Sequence, residues 1–173
     1  MKRASATDDL ANEILKALRR ILRKTAEFSR QLGRESGLTV PQVLCLAAIG
    51  KAPADAELTV ARIADEIHLS VATASRLLDR LEESGLLMRE RSQTDRRKVF
   101  VRLTTEGRRQ LRRLPTPLQE QFRQRLDRLG EREQQVLLDC LKQVVAMMGA
   151  TDLEASPVLT TEVDVRPTGR GKK

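Results

Sequence analysis

The sequence predicts a mainly α-helical fold with one small β-hairpin, and three observations carry this prediction. Apolar residues recur at steps of three and four along most of the chain, which is the period of amphipathic helices. An apolar strand starting at Leu86 and an alternating one over residues 99–103 enclose a charged loop at 91–98. The length of 173 residues, 40% of them hydrophobic, supports one domain with or without a separate dimerisation element.

A first helix is expected after a flexible lead at residues 1–8, with Asp8 or Asp9 as its N-cap and a stop at Gly33. Its apolar positions alternate steps of four and three, which is the spacing of a helix–helix seam, and basic residues cover the other side. These positions are Ile14, Leu18, Ile21, Thr25, Phe28 and Leu32. Such a helix needs a partner surface.

The second helix is predicted to begin after the cap residue Thr39, with Pro41 in its first turn. It carries apolar residues on more than one side, namely Val43, Leu44, Leu46, Ala47 and Ile49. A helix that is apolar on several sides is buried, so we expect a scaffold for the elements that follow the polar loop at 51–57.

A short helix, a tight connection and a second helix are predicted over residues 59–84. Thr59 and Ser70 are the expected N-caps, and each helix has apolar residues on one face only. The apolar residues are Val60, Ile63, Ala64 and Ile67 in the first helix and Ala74, Leu77, Leu78 and Leu81 in the second. This arrangement is typical of a helix-turn-helix.

The outward side of the second helix of this pair carries small and polar residues and two arginines. Small side chains permit close approach to a DNA major groove, hydroxyl groups bond base edges, and arginine forks onto guanine. The candidate DNA-contacting residues are Ser70, Ala72, Thr73, Ser75, Arg76 and Arg80. For the helix pair alone, a merely solvated helix face remains the alternative.

The loop at 91–98 is too polar to bury and strongly basic. A hairpin tipped with arginines beside a recognition helix is a wing, suited to the negative potential of a narrow minor groove. Its candidate DNA contacts are Asp95, Arg96, Arg97 and Lys98. The hairpin therefore predicts a winged helix-turn-helix that reads double-stranded DNA.

The run DRRKVFVRLTTEGR at residues 95–108 resembles the wing and following helix of MarR-type transcriptional regulators, where D-x-R precedes V-x-L-T and E-G-R. The segment LLDRLE at 77–82, with Gly85 and Leu86 after it, is similar to the exit of that family's recognition helix. The resemblance covers residues 9–148. It divides them into dimerisation helices at 9–33 and 108–148 and a winged helix-turn-helix at 39–107.

The resemblance implies a homodimer, more often a repressor than an activator, that binds a pseudo-palindromic operator. It also implies that Asp95 orients Arg97 towards the minor groove. A small-molecule effector, often anionic or phenolic, would bind between the dimerisation helices and the winged helix-turn-helix and weaken operator binding. In the family the helix after the wing is often continuous. Here Pro115 and Pro117 depart from that pattern.

In the C-terminal half a helix is predicted after the cap residue Thr104, and it should kink or break near Leu114 before the helical pattern resumes. Gly130 separates this segment from a last helix at 131–148. The last helix repeats the four-three spacing of the first. One apolar seam at each end of the chain favours an intertwined dimer. The alternative, that each helix packs within its own subunit, stays open. Residues 149–173 have no helical period and predict a disordered basic tail.

Charge and composition limit the functions that the chain can have. Ten basic and three acidic residues fall within 89–113, nearly the whole net charge of +8, which indicates a polyanion partner. The absence of Trp and Tyr disfavours stacking of single-stranded bases. No apolar run of about 18 residues and no signal-peptide core occur, so we expect a cytoplasmic protein without a membrane partner.

Signals for catalysis are absent from the sequence. The only histidine, His68, lies in the helix-turn-helix connection, and no nucleophile or metal motif accompanies it, which predicts a non-enzyme without cofactor or metal. Cys45 and Cys140 occupy apolar contexts and are expected to be small core residues. Two alternatives stay open: a cysteine-based redox-sensing regulator, and a winged-helix protein-interaction module that does not bind specific DNA.

Overall fold

The structure is a computed structural model that describes residues 6–53, 56–91 and 99–153. In those residues seven helices and two strands follow one another, which confirms the predicted mainly α fold with a small hairpin. They are α1 Ala6–Ser36, α2 Val40–Lys51, α3 Val60–Glu66, α4 Val71–Glu83, β1 Leu87–Arg91, β2 Val99–Leu103, α5 Thr105–Leu111, α6 Leu118–Leu126 and α7 Glu131–Met147. The predicted tail beyond residue 153 lies outside the described residues.

The first helix is longer at both ends than the sequence predicts. It begins at Ala6, so Asp8 and Asp9 lie in its first turn instead of capping it. The predicted stop at Gly33 is wrong, because the helix continues to Ser36 and ends before Gly37, whose φ is +70°. A glycine inside a helix costs about 1 kcal/mol relative to alanine, which is tolerated, whereas the left-handed backbone that ends the helix favours glycine.

The second helix lies at the centre of the core, as its apolar pattern predicts. Eight of its twelve residues are buried. Thr39 precedes it, and the Thr39 N–H donates to Gln42 Oε1 at 2.9 Å, which satisfies a donor at the start of the helix. Around α2 pack α3, α4, α5 and β2. The core also includes Leu32 from α1, and Leu32, Leu46, Ile63, Leu78 and Leu81 have no exposed surface.

The two strands form an antiparallel hairpin whose register runs from the pair Leu87–Leu103 to the pair Arg91–Val99. The other edge of β2 meets the segment before α3, where Thr59 bridges Phe100 and Val101 N–H donates to Leu58 O at 2.9 Å. Phe100 is buried, although strict alternation with Val101 predicts that it faces away from the core.

The start of α5 is fixed against the base of the hairpin. As predicted, Thr104 is the N-cap, and its hydroxyl accepts from Gly107 N–H at 2.9 Å. The same hydroxyl donates to Gly85 O at 2.7 Å. A Cβ atom at position 107 would collide with the carbonyl oxygen of Leu86, so the glycine of the T-E-G-R run is required by close backbone approach.

The helix is interrupted between α5 and α6, at the point where the two prolines predict an interruption. The helix α5 ends at Leu111, and α6 begins directly after Pro117. Neither α6 nor α7 has a buried residue, and the apolar side chains of α7 are exposed in the single chain. Among the described residues, no helix is both long and apolar enough to cross a membrane.

Candidate DNA-binding surface

The helix pair has the predicted geometry. Thr59 Oγ1 accepts from Arg62 N–H at 3.4 Å at the start of α3, and the predicted residues Ile63 and Ala64 face the core. The connection turns sharply at His68, whose φ is +55°, and Leu69 N–H donates to Ala64 O at 2.9 Å. The histidine is therefore a turn residue whose side chain is exposed.

The recognition helix α4 begins with a hydroxyl pair. Ser70 Oγ accepts from Thr73 N–H at 3.1 Å and lies 2.8 Å from Thr73 Oγ1. One oxygen of each residue is thus engaged in starting the helix. The buried face consists of the four residues that the periodicity predicts: Ala74, Leu77, Leu78 and Leu81.

The opposite side of α4 is available to a partner. Ala72, Arg76 and Arg80 are exposed, while Thr73 and Ser75 are half-buried. In the described part of the chain, the guanidinium groups of Arg76 and Arg80 make neither a hydrogen bond nor an ion pair. The structure therefore presents the six predicted α4 residues on a surface that the core leaves open.

The exposed surface also includes Val71, which the sequence pattern did not single out. Its side chain is 52% exposed in the first turn of α4, beside Ala72. An apolar group at this position can contact a thymine methyl group. Its exposure depends on how α4 packs, which composition does not reveal.

Arg89 joins the recognition helix to the wing, and the sequence pattern did not indicate this role. Its Nη1 lies 2.6 Å from Asp79 Oδ1 and 2.9 Å from Glu82 Oε2, and its backbone N–H donates to Glu82 Oε1 at 3.2 Å. Nη2 also donates to Ser75 O at 3.4 Å. The i, i+3 spacing of Asp79 and Glu82 puts both carboxylates on one side of α4, which is the signal that could have indicated this contact.

Part of the basic cluster at 89–113 is used within the protein. Besides Arg89, Arg102 pairs with Glu90 at 3.1 Å, and Arg108 Nη1 donates to Leu103 O at 2.8 Å. Arg109 pairs with Glu106 at 2.7 Å, and this guanidinium holds the pKa of the exposed Glu106 carboxyl below its ordinary value. At least four of the ten basic residues in this cluster, Arg89, Arg102, Arg108 and Arg109, are therefore engaged within the protein.

The predicted wing-tip contacts lie outside the described residues. β1 ends at Arg91 and β2 begins at Val99. Asp95, Arg96, Arg97 and Lys98 fall between these bounds. The hairpin that carries them lies beside α4, to which Arg89 ties it.

The two cysteines differ. Cys45 is fully buried in α2, and burial raises the pKa of its thiol to about 12, which disfavours a reactive thiolate. Cys140 is exposed on α7, so the expectation of a core position is wrong for it in the single chain. Among the described residues, no group of three or more potential ligands is placed to hold a metal ion.

A cavity of about 310 Å³ separates the helix-turn-helix from α6. Its walls combine apolar residues such as Val43, Ala47, Ile67 and Leu114 with polar and charged ones. Two polar contacts cross its rim. Lys51 Nζ lies 3.3 Å from Glu120 Oε2, and Arg123 Nη2 lies 3.4 Å from His68 Nε2.

The helix pair, the hairpin and the open face of α4 define a winged helix-turn-helix protein. The model of the MarR family matches residues 36–98, from the end of α1 through the wing. Over this segment the chain resembles the MarR family.

Two characterised regulators are similar to this chain. The HTH-type transcriptional regulator MgrA of Staphylococcus aureus is 34% identical over 80 residues, which cover 46% of this chain and 52% of MgrA. The organic hydroperoxide resistance transcriptional regulator of Bacillus subtilis is 30% identical over 98 residues, which cover 57% of this chain and 65% of that protein. The matched part of the chain thus spans about half the length of MgrA.

Solved structures show the same fold. The S. aureus MepR–DNA complex has a TM-score of 0.55 and 23% identity, covering 76% of this chain and 96% of MepR. A mutant of S. aureus MepR has a TM-score of 0.52 and 20% identity, covering 79% of this chain and 96% of the mutant. At these identities the likeness concerns the fold alone.

Proposed function

We propose that the chain is a sequence-specific, DNA-binding transcriptional repressor that acts in the cytoplasm without catalysing a reaction. In this proposal α4 enters the major groove and the wing reaches the adjacent minor groove. The observation that carries the proposal is the open face of α4, where Arg76 and Arg80 are exposed beside a hairpin fixed by Arg89. MgrA and the B. subtilis relative, both named as transcriptional regulators, support it.

The proposal includes a homodimer. The apolar seam of α7 is exposed in the single chain, and so is the N-terminal part of the seam of α1. An exposed apolar surface of this extent on two long helices marks an interaction site. A second copy of the chain would cover both seams and supply a second α4. Two recognition helices related by a two-fold axis enter successive major grooves about 10 base pairs apart.

The proposal also includes a small-molecule effector. The cavity between the helix-turn-helix and α6, of about 310 Å³, lies at the lower end of the volumes of small-ligand sites, which run from about 300 to 1,000 Å³. Its rim contacts, Lys51–Glu120 and Arg123–His68, join α6 to α2 and to the turn of the helix-turn-helix. An effector needs a differential affinity of only about 1–3 kcal/mol between DNA-competent and incompetent states to weaken operator binding.

The test is selection of DNA sites from a random duplex library, followed by fluorescence anisotropy on the selected site. We expect a pseudo-palindrome whose half-site centres lie about 10 base pairs apart. Insertion of about five base pairs at its centre rotates one half-site to the opposite face and should abolish tight binding. A protein-interaction module would instead enrich no sequence.

Repression is tested separately with a reporter gene under a promoter that carries the selected site. Expression should rise when the gene for this protein is deleted, because a repressor that occupies the site blocks transcription. A fall in expression would assign activation instead.

A further inference from the structure

The first turn of the recognition helix α4 presents an apolar, uncharged surface. Val71 is the first residue of the helix and is 52% exposed, and Ala72 beside it is also exposed. Residues 71–74 include no acidic residue, although the dipole of a helix favours carboxylates in its first turn. Single exposed apolar residues are common on protein surfaces, so the position of this valine decides its meaning. It lies at the end of α4 that a recognition helix directs towards the base pairs.

The hydroxyl groups at the same end of α4 are mostly engaged within the protein. Ser70 Oγ accepts from Thr73 N–H at 3.1 Å and lies 2.8 Å from Thr73 Oγ1, so one of the two hydroxyls donates to the other. Only one O–H of this pair is left for an acceptor on a partner. The sequence alone predicts two hydroxyls that are free to bond base edges. The structure therefore shifts the weight of recognition from hydrogen bonds to apolar contact at this end of the helix.

The first turn of α4 is also held in a fixed position. Ala74 is fully buried in it, which packs one side of the turn into the core. In the following turn Ser75 O accepts from Arg89 Nη2 at 3.4 Å, and the same guanidinium pairs with Asp79. Val71 is thus carried by a helix that the core and the hairpin both support. Discrimination by a small group requires such a rigid support.

We propose that Val71 is a specificity-determining residue that contacts the C5 methyl group of a thymine in the major groove, while the small side chain of Ala72 permits the close approach. The inference rests on the proposed function, because it requires α4 to enter the major groove. Of the four bases only thymine presents a methyl group there. Contact between this methyl group and the valine removes apolar surface from water, and a base without the methyl group loses that gain.

The experiment removes the methyl group from the DNA. In the duplex selected from the random library, each thymine of the half-sites is replaced in turn by deoxyuridine, which lacks only the C5 methyl group. Fluorescence anisotropy at one salt concentration gives the affinities. At one position in each half-site the replacement should weaken binding about fourfold, which is the effect of one methyl group removed from water. Replacement of both symmetry-related thymines should weaken binding about 16-fold, since separate positions are roughly additive.

Variants of the protein then assign the effect to Val71. Val71→Ala should reduce the penalty for deoxyuridine at that position to less than about twofold, whereas Val71→Ile keeps a branched apolar side chain and should retain it. The ratio of the two affinities is not changed by a general loss of stability or of dimerisation, because such a loss affects both duplexes alike. The matched control is Val136→Ala, the same substitution at a valine of α7 that is 56% exposed, and it should keep the full ratio.

Three results would overturn the inference and leave the DNA-binding proposal intact. They are a selected half-site without thymine, a set of half-site thymines none of which changes the affinity by more than about twofold when replaced, and an unchanged ratio in Val71→Ala. The first two need no variant. Enrichment of no sequence at all would overturn the proposed function and this inference with it, so the two failures are told apart.

Discussion

The winged helix-turn-helix and the terminal helices differ in how much of their apolar surface is buried within the single chain. In the first region, formed by α2, α3, α4 and the hairpin, residues such as Leu46, Ile63 and Leu78 have no exposed surface. In the second, α6 and α7 have no buried residue at all, and Leu141 is 43% exposed. The first region completes its core within one chain, whereas the second requires an additional surface.

The boundary between the two regions runs through α1. Its C-terminal part buries Thr25, Phe28 and Leu32 against the core, while Ile14 and Ile21 in the N-terminal part of the same seam are exposed. One continuous pattern of apolar residues at steps of four and three therefore includes both buried and exposed positions. The periodicity identifies a face to be buried, but the partner of that face depends on where the helix lies in the fold.

The largest effect is expected from a truncation in the core of the winged helix-turn-helix. Leu78→Ala should lower the free energy of unfolding by about 2–5 kcal/mol, because it leaves a cavity at a fully buried site. Urea denaturation measures this loss. Val71→Ala, an exposed position on the same helix, is the control and should change stability by less than about 0.5 kcal/mol. Equal losses in the two variants would contradict the division into two regions.

A charge on the seam of α7 should act on association instead of on folding. Leu141→Glu should raise the dimer dissociation constant at least about 30-fold, as expected for about 2 kcal/mol at an interface hot spot. Sedimentation velocity over a range of concentrations measures it. Gln143→Glu places the same charge on another side of α7 and should leave the dimer intact. A dimer that tolerates Leu141→Glu would show that α7 packs elsewhere.

On the open face of α4 the two arginines should have separable roles. Arg76→Ala should cost about 1–3 kcal/mol of operator affinity and relax the preference at particular base pairs. Arg80→Ala, further along the helix, should weaken all sequences alike, because phosphate contacts carry no sequence information. Site selection with each variant tests this. The assignment of Arg76 fails if its variant selects the wild-type motif.

The wing should contribute on a similar or smaller scale. Arg97→Ala should reduce DNA affinity by about 1–3 kcal/mol and make the salt dependence shallower, since one fewer phosphate counterion is released. Anisotropy titrations at several salt concentrations measure both quantities. The dimer should be unaffected, which sedimentation velocity checks. Unchanged affinity and salt slope would remove Arg97 from the interface.

The smallest effect concerns the cysteines, one in each region. At pH 8 a thiol reagent should leave Cys45 unmodified in the folded protein, because its pKa is raised to about 12 and it is buried. Cys140 should react faster in Leu141→Glu than in wild type, since dissociation would uncover its face. Rapid modification of Cys45 without unfolding would contradict the buried core.

The raised pKa of Cys45 also has a consequence for stability at high pH. The folded state favours the neutral thiol, so this contribution is fully present below the ordinary thiol pKa near 9 and is lost as pH rises towards about 12. Urea denaturation of wild type and Cys45→Ala between pH 8 and pH 11 measures it. The alkaline loss of stability should be smaller in the variant.

The sequence by itself determined the features that depend on residues close together in the chain. The caps Thr59, Ser70 and Thr104 each bond a backbone N–H three residues away, and the apolar faces of α3 and α4 follow from helical spacing alone. The break before α6 is likewise local, because proline restricts the residue before it. The six candidate DNA contacts on α4 follow from the same reasoning, as the side that the periodicity leaves outside.

The tertiary structure decided what depends on residues far apart in the chain. It buried Phe100 and brought Arg89 to the carboxylates of α4. It also formed the cleft between α2 and α6. These outcomes arise where separate elements meet, and hydrophobic periodicity and local propensity act only within one element.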